Sequence, residues 1–176
     1  MRHLVMVVGT GGMGALTSGR LLLEAGLARF AHGTWFPSYD TRQRGGPAEC
    51  TVILSDEEVY SPVCQELPAL IMMHRSQLDR FRERVIPGGL AVLERGCSLE
   101  RGDVNELEIP GEETARRVGS PAVANQVFLG AYVQASGCLP PEVVDAAIAR
   151  RYQRREDVQT LNRDAFWAGV RLVEAR

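Results

Sequence analysis

The sequence predicts an α/β domain: a mostly parallel, open sheet with helices on both faces, a Rossmann-like start and a helical C-terminal part. Three observations carry this expectation. Residues 4–8 form a continuously apolar run, as expected of a strand buried on both faces. A glycine cluster, Gly9-Thr10-Gly11-Gly12-Met13-Gly14, stands directly behind that run and directly ahead of a helical stripe. Short apolar runs then alternate with helical periodicities along the chain, the pattern of a doubly wound sheet.

Each element has its own signal. From about residue 13 to 30, Leu16, Leu21, Leu22, Leu23, Leu27 and Phe30 recur at helical spacing. Residues 33–36 read as a second strand closed by Pro37, and 50–54 as a third, ended by the acidic turn Ser55-Asp56-Glu57-Glu58. A fourth strand is expected over 70–73. A charged helix over 77–85 is stopped by Pro87-Gly88-Gly89, ahead of a fifth strand at 90–93. Residues 95–105 are polar and read as loop; 106–109 form a short sixth strand and 112–118 a short helix. Residues 121–136 are apolar nearly all round, which predicts a buried helix. Pro140-Pro141 opens a further helix carrying Val143, Val144, Ala147 and Ile148. Val158, Leu161, Ala165 and Leu172 mark the last one.

No linker or repeat interrupts this order, so residues 1–176 are expected to form a single domain. A chain of this length buries roughly 70% of its unfolded surface. All twenty basic residues are arginine, against 22 acidic ones, for a net charge of −2. That balance excludes the polybasic face that nucleic acid demands. Met1-Arg2-His3-Leu4 opens into a strand rather than a signal peptide, and no apolar run approaches bilayer length. The expected location is cytoplasmic, with no membrane span. Cys50, Cys64, Cys97 and Cys138 stand far apart without a C-x-x-C, which is not the spacing of an iron–sulfur or structural zinc site. No metal site is expected, and isolated cysteines read as small core residues.

Gly9, Gly11 and Gly14 satisfy G-x-G-x-x-G between a strand and a helix. Bare N–H groups at such a turn, reinforced by the helix dipole, favour a phosphate or pyrophosphate. A dinucleotide also needs an acidic residue at the end of the second strand to hold the ribose. Here that strand runs out in Trp35-Phe36-Pro37-Ser38, with Asp40 past the proline, so NAD is disfavoured while phosphate is not. A tight turn without a ligand is the plainer alternative. Residues 38–46, Ser38-Tyr39-Asp40-Thr41-Arg42-Gln43-Arg44-Gly45-Gly46, bring arginines and glycines to the same sheet edge; alone they would read as a solvated loop. Asn125, within an apolar helix, must be hydrogen-bonded and is expected to anchor a neighbouring loop. Arg150, Arg151, Arg154 and Arg155 suit a solvated helix C-terminus, or else a subunit contact. The chain has no G-x-S-x-G, no H-E-x-x-H and no lysine for a P-loop. No catalytic constellation is expected.

The glycine turn, the Ser38-Tyr39…Arg44-Gly45-Gly46 loop, the stretch from Cys50 to Asp56 and the Ala124-Asn125…Leu129-Gly130-Ala131 helix occur in that order. In this the chain resembles the gamma subunit, or gamma domain, of the thiamine-diphosphate-dependent 2-oxoacid:ferredoxin (acceptor) oxidoreductases, from Leu4 to about Ile148. The resemblance implies a hetero-oligomer that oxidatively decarboxylates a 2-oxoacid with CoA, giving acyl-CoA, carbon dioxide and reduced acceptor. It implies alpha and beta partner subunits holding thiamine diphosphate and magnesium, and iron–sulfur clusters on a partner such as a ferredoxin-like subunit. The gamma part would help bind CoA and assemble the complex without being catalytic alone. By motif match, CoA contact falls on Gly11, Gly12, Met13, Ser38, Tyr39, Arg44, Gly45 and Gly46. The family usually has Gln at Met13, and a thioether cannot donate as an amide does, so the turn is expected to act through its backbone. It also usually has a Gly-Pro-Glu-type stretch at Asp40-Thr41-Arg42, so this loop is read as retuned for another acyl group or partner. Residues 50–63, ending in Tyr60-Ser61-Pro62-Val63, look closer to the 2-oxoglutarate or aromatic (phenylglyoxylate, indolepyruvate) branches than to pyruvate enzymes. The alternatives are an NAD(P)- or flavin-binding oxidoreductase and a purely structural assembly subunit.

Overall fold

A computed structural model describes residues 1–39 and 46–175. Its strands are β1 (Arg2–Thr10), β2 (His32–Tyr39), β3 (Pro47–Ser55), β4 (Leu67–Met72), β5 (Val85–Glu94) and β6 (Asn105–Ile109). Its helices are α1 (Ala15–Gly26), α2 (Leu78–Phe81), α3 (Gly111–Val118), α4 (Ala124–Ser136), α5 (Pro141–Arg151) and α6 (Glu156–Glu174). The sheet runs β2-β3-β1-β4-β5-β6. β4 pairs parallel with β1 and with β5, and β5 parallel with β6, whereas β3 pairs antiparallel with both of its neighbours. The expected mostly parallel α/β sheet is therefore present, with one reversed strand inserted beside β1.

The reversal follows from chain length. Only residues 40–46 join β2 to β3, and a parallel connection needs a crossover of a dozen residues or more. β2 and β1 point the same way, two strands apart, with β3 between them.

β1 shows why the apolar run is continuous. Val5 and Val7 belong to a core formed with α1 and α3–α6, while Leu4, Met6 and Val8 belong to a second core on the opposite face. Helices stand on both faces, but unevenly. Five long helices cover the first face; α2 and residues 97–99 cover the second, where Phe81, Cys97 and Leu99 are buried. α4 is enclosed as its composition required, with ten consecutive residues from Ala124 to Val133 buried.

One element differs from expectation. Residues 77–85 do not form a continuous helix: α2 is one turn, flanked by 3₁₀ turns at Arg75–Gln77 and Arg82–Arg84. Of α2's residues only Phe81 is buried, too little apolar face to hold a longer helix. Pro87-Gly88-Gly89 does not end a helix either. It bulges within β5, between the pairs Leu67↔Val85 and Ala69↔Leu90, with Gly88 at φ 75°. Among the described residues no helix is long and apolar enough to cross a membrane.

Candidate functional site

The end of β1, the turn after it and the start of β3 enclose a cleft of about 420 Å³ at the carboxyl edge of β1. It is lined by Thr10, Gly11, Gly12 and Gly14, by Ala15, Leu16 and Thr17 of α1, and by Gly46, Pro47 and Ala48. Two segments that the sequence put at one edge are joined directly: the Gly11 N–H donates to the Gly46 carbonyl at 2.8 Å. The cleft is of a size that holds part of a small organic ligand.

Its polar character comes from the backbone. The first intrahelical hydrogen bond of α1 runs from the Ser18 N–H to the Gly14 carbonyl at 3.0 Å. The N–H groups of Ala15, Leu16 and Thr17 therefore precede the helical ladder and carry the positive end of the dipole. No side chain caps this end and no acidic residue occupies its first turn. The described lining has no ionisable side chain of its own.

The glycines divide their work differently from the letters of the motif. Gly12 and Gly14 have φ of 93° and 79°, where a side chain is strained, and Gly12 is not one of the three fingerprint positions. Around Gly12 no atom would meet a Cβ, so the turn is open there; at Gly14 a Cβ would lie 2.8 Å from the Asn125 side chain.

Two side chains grip the first turn of α1. From β3, the Cys50 thiol donates to the Ala15 carbonyl at 3.5 Å. Burial pushes that thiol up to about 12, with the Trp35 indole beside it pulling weakly the other way. From α4, Asn125 Nδ2 donates to the Gly14 carbonyl at 3.4 Å and to Ser18 Oγ at 3.1 Å. The expectation that Asn125 anchors a neighbouring segment is met.

The predicted contact residues separate. Gly11, Gly12 and Gly46 line the cleft. Met13 turns its side chain back: its sulfur accepts the Thr10 N–H at 3.5 Å and it packs against the main core. Ser38 does not reach the cleft. It pairs with Glu49 and lines a groove on the other sheet face with Phe36 and Val63, because alternate strand residues point to opposite faces. Tyr39 pairs with Ala48 at the end of β2. Arg44 and Gly45 lie outside the described residues. Sequence reasoning passed over Ala15, Leu16 and Thr17, whose only signal was their position behind the last glycine.

Residues 4–172 match the family model described as pyruvate ferredoxin/flavodoxin oxidoreductase. The chain belongs to this family. Within this oxidoreductase family it is 28% identical, over 174 residues, to the 2-oxoglutarate synthase subunit KorC of Archaeoglobus fulgidus, covering 98% of this chain and 90% of that one. It is 32% identical over 169 residues to the ketoisovalerate oxidoreductase subunit VorA of Methanothermobacter thermautotrophicus, covering 94% of this chain. It spans about a third, 35%, of that relative's length. The gamma subunit of a keto/oxoacid ferredoxin oxidoreductase from Geobacter sulfurreducens superposes with a TM-score of 0.84 at 26% identity, over 99% of both chains. The same fold recurs, at TM-score 0.90 and 21% identity, in 31% of a chain of the Magnetococcus marinus 2-oxoglutarate:ferredoxin oxidoreductase, determined with 2-oxoglutarate, coenzyme A and succinyl-CoA bound. The gamma-type resemblance read from the motifs is thus borne out over nearly the whole chain.

The topology also weighs on the dinucleotide alternative. The acidic ribose ligand of that motif sits on the strand beside β1, but here antiparallel β3 occupies that place. β2 lies two strand spacings away, roughly 10 Å.

Proposed function

We propose that this chain is the gamma-type subunit of a cytoplasmic 2-oxoacid:acceptor oxidoreductase, where it holds CoA and helps assemble the complex. The observation that carries the reading is the cleft in which the glycine turn and the β2–β3 hairpin are hydrogen-bonded to each other. Its donors are main-chain N–H groups at the positive end of α1, which suit phosphate oxygens and supply no nucleophile or proton relay. Gly11, Gly12 and Gly46, with the first turn of α1, would approach the diphosphate. Arg44, with Tyr39 and Gly45, would complete the contact set, Arg44 adding a cation for the phosphate oxygens. Met13 and Ser38 are left out of the contact set: the Met13 N–H already donates to the Thr10 carbonyl at 3.1 Å, and Ser38 serves the opposite face.

Thiamine diphosphate and magnesium on alpha and beta partners, with iron–sulfur clusters on a ferredoxin-like partner, supply the decarboxylation and the electron transfer. This chain contributes placement: fixing one end of CoA raises the effective concentration of its thiol at the partner's reacting centre. Among substrates, 2-oxoglutarate leads, since the KorC subunits match over nearly their full length. Branched-chain oxoacids, phenylglyoxylate and indolepyruvate are the competitors, ahead of pyruvate.

Arg44→Ala in the reconstituted complex should raise the KM for CoA about tenfold, the worth of one charge-assisted phosphate contact, and leave the 2-oxoacid KM unchanged. An unchanged CoA KM would argue for the second reading, an assembly subunit that touches no ligand. That reading draws on the exposed Phe36 and Val63, which border the groove on the helix-poor face.

A further inference from the structure

We infer that Asn125 is a positioning residue of the cleft, setting the direction in which the first-turn N–H groups of α1 point without touching the ligand itself. The inference rests on the CoA reading above and names what holds that site in shape. Asn125 and Ser18 are 4% and 0% exposed, so neither is available to an incoming molecule. They form a reciprocal clasp across 107 residues of chain: Asn125 Nδ2 donates to Ser18 Oγ at 3.1 Å, and Ser18 Oγ donates to the Asn125 main-chain carbonyl at 3.1 Å. The second Nδ2 contact, 3.4 Å to the Gly14 carbonyl, falls on the group that also accepts the first helical hydrogen bond. Three of the four residues that open α1 therefore lie between two points tied to α4.

The chemistry of the side chain matters as much as its reach. An aspartate of the same shape could not donate to the Gly14 carbonyl, and it would bring a negative charge beside the positive end of α1, in competition with a bound anion. A neutral amide fixes the same backbone and leaves the dipole for the ligand. Its reference frame is rigid, because α4 is buried along most of its length and packed closely on α6. The glycine at position 14 belongs to the same device, since any Cβ there would strike Asn125.

The test uses the whole reconstituted complex, with Asn125→Asp, Asn125→Ala, Ser18→Ala and, as reference, Gly12→Ala. Asn125→Asp should raise the CoA KM about tenfold and Asn125→Ala about threefold, with kcat at saturating CoA and the 2-oxoacid KM unchanged. The aspartate effect should shrink as salt is raised, which a packing defect would not do. Should Asn125→Ala fail to assemble, Ser18→Ala, which deletes a single oxygen, must still raise the CoA KM. If Gly12→Ala raises the CoA KM while the three clasp variants leave it unmoved, the positioning role is overturned and the CoA reading stands. If Gly12→Ala leaves it unmoved as well, the CoA reading itself has failed, and the clasp role with it.

Discussion

The Gly11 N–H and the Gly46 carbonyl meet at 2.8 Å, so the turn after β1 and the hairpin before β3 form one structural unit. β1 and β3 pair antiparallel along their whole length, from Arg2↔Ser55 to Thr10↔Pro47, and this bond extends the pairing past the end of the ladder. The unit faces the start of α1, and every functional expectation for this chain depends on its geometry.

Gly12→Ala tests the turn. At φ 93° an L side chain is strained by about 1–2 kcal/mol, yet no neighbouring atom stands in its way. The melting temperature should fall by a few degrees, as scanning calorimetry would read it, and the loss should be confined to the backbone strain. The CoA KM of the complex should rise at the same time, since the new methyl occupies the open side of the cleft. A variant that melts lower but binds CoA as before would separate the turn from the ligand.

Gly130 and Gly169 set the distance between α4 and α6. A Cβ on Gly130 would run into the Phe166 carbonyl oxygen, and one on Gly169 into the Val127 carbonyl oxygen. Either substitution to alanine forces the two helices apart and should cost about 3 kcal/mol in urea unfolding. The double variant should cost less than the sum, because helices already separated accept the second methyl. Additive losses would mean that the two contacts yield independently.

Alkaline pH should weaken the fold through its buried thiols. Burial raises Cys50 from 9.0 to about 12, and it moves Cys97, Cys138 and the Tyr132 phenol in the same direction. A group raised in the folded state keeps its full stabilising effect below its unfolded value and loses it as pH climbs to the folded one. Stability should therefore hold up to about pH 9 and decline toward about pH 12. Urea midpoints at about pH 8 and about pH 10.5 measure this, and Cys50→Ala should show the smaller drop. Equal drops in both proteins would remove Cys50 from the account. In the native state an alkylating reagent should find the half-buried Cys64 first and reach the buried Cys50, Cys97 and Cys138 only on unfolding.

Much of this molecule could be read from residue order alone. The continuous apolar run of β1, the all-round apolar α4 and the proline start of α5 each commit locally, through burial on two faces, burial on all sides and a fixed φ. The glycine turn was legible for the same reason, since few sequences put four glycines between a buried strand and a helix. Pro87-Gly88-Gly89 misled, because the residues that stop a helix also make a bulge, and pairing with β4 decided between them. Between the expected strands at 33–36 and 50–54 a parallel crossover still fitted. Only the extension of β2 to Tyr39 and of β3 back to Pro47 made the connection too short for one, and the place of β3 beside β1 is a matter of sheet pairing.

By itself, then, the sequence determined the kind of fold and the family, because periodicity, turn chemistry and motif order are local properties carried by the chain. Only the tertiary structure decided which of the marked residues share a site. Strand alternation sends Ser38 to the far face, a hydrogen bond brings Gly46 to Gly11, and Asn125 reaches Gly14 across more than a hundred residues. Such proximities arise from packing between elements, where the sign of a face and the closeness of two helices are set by everything else in the core.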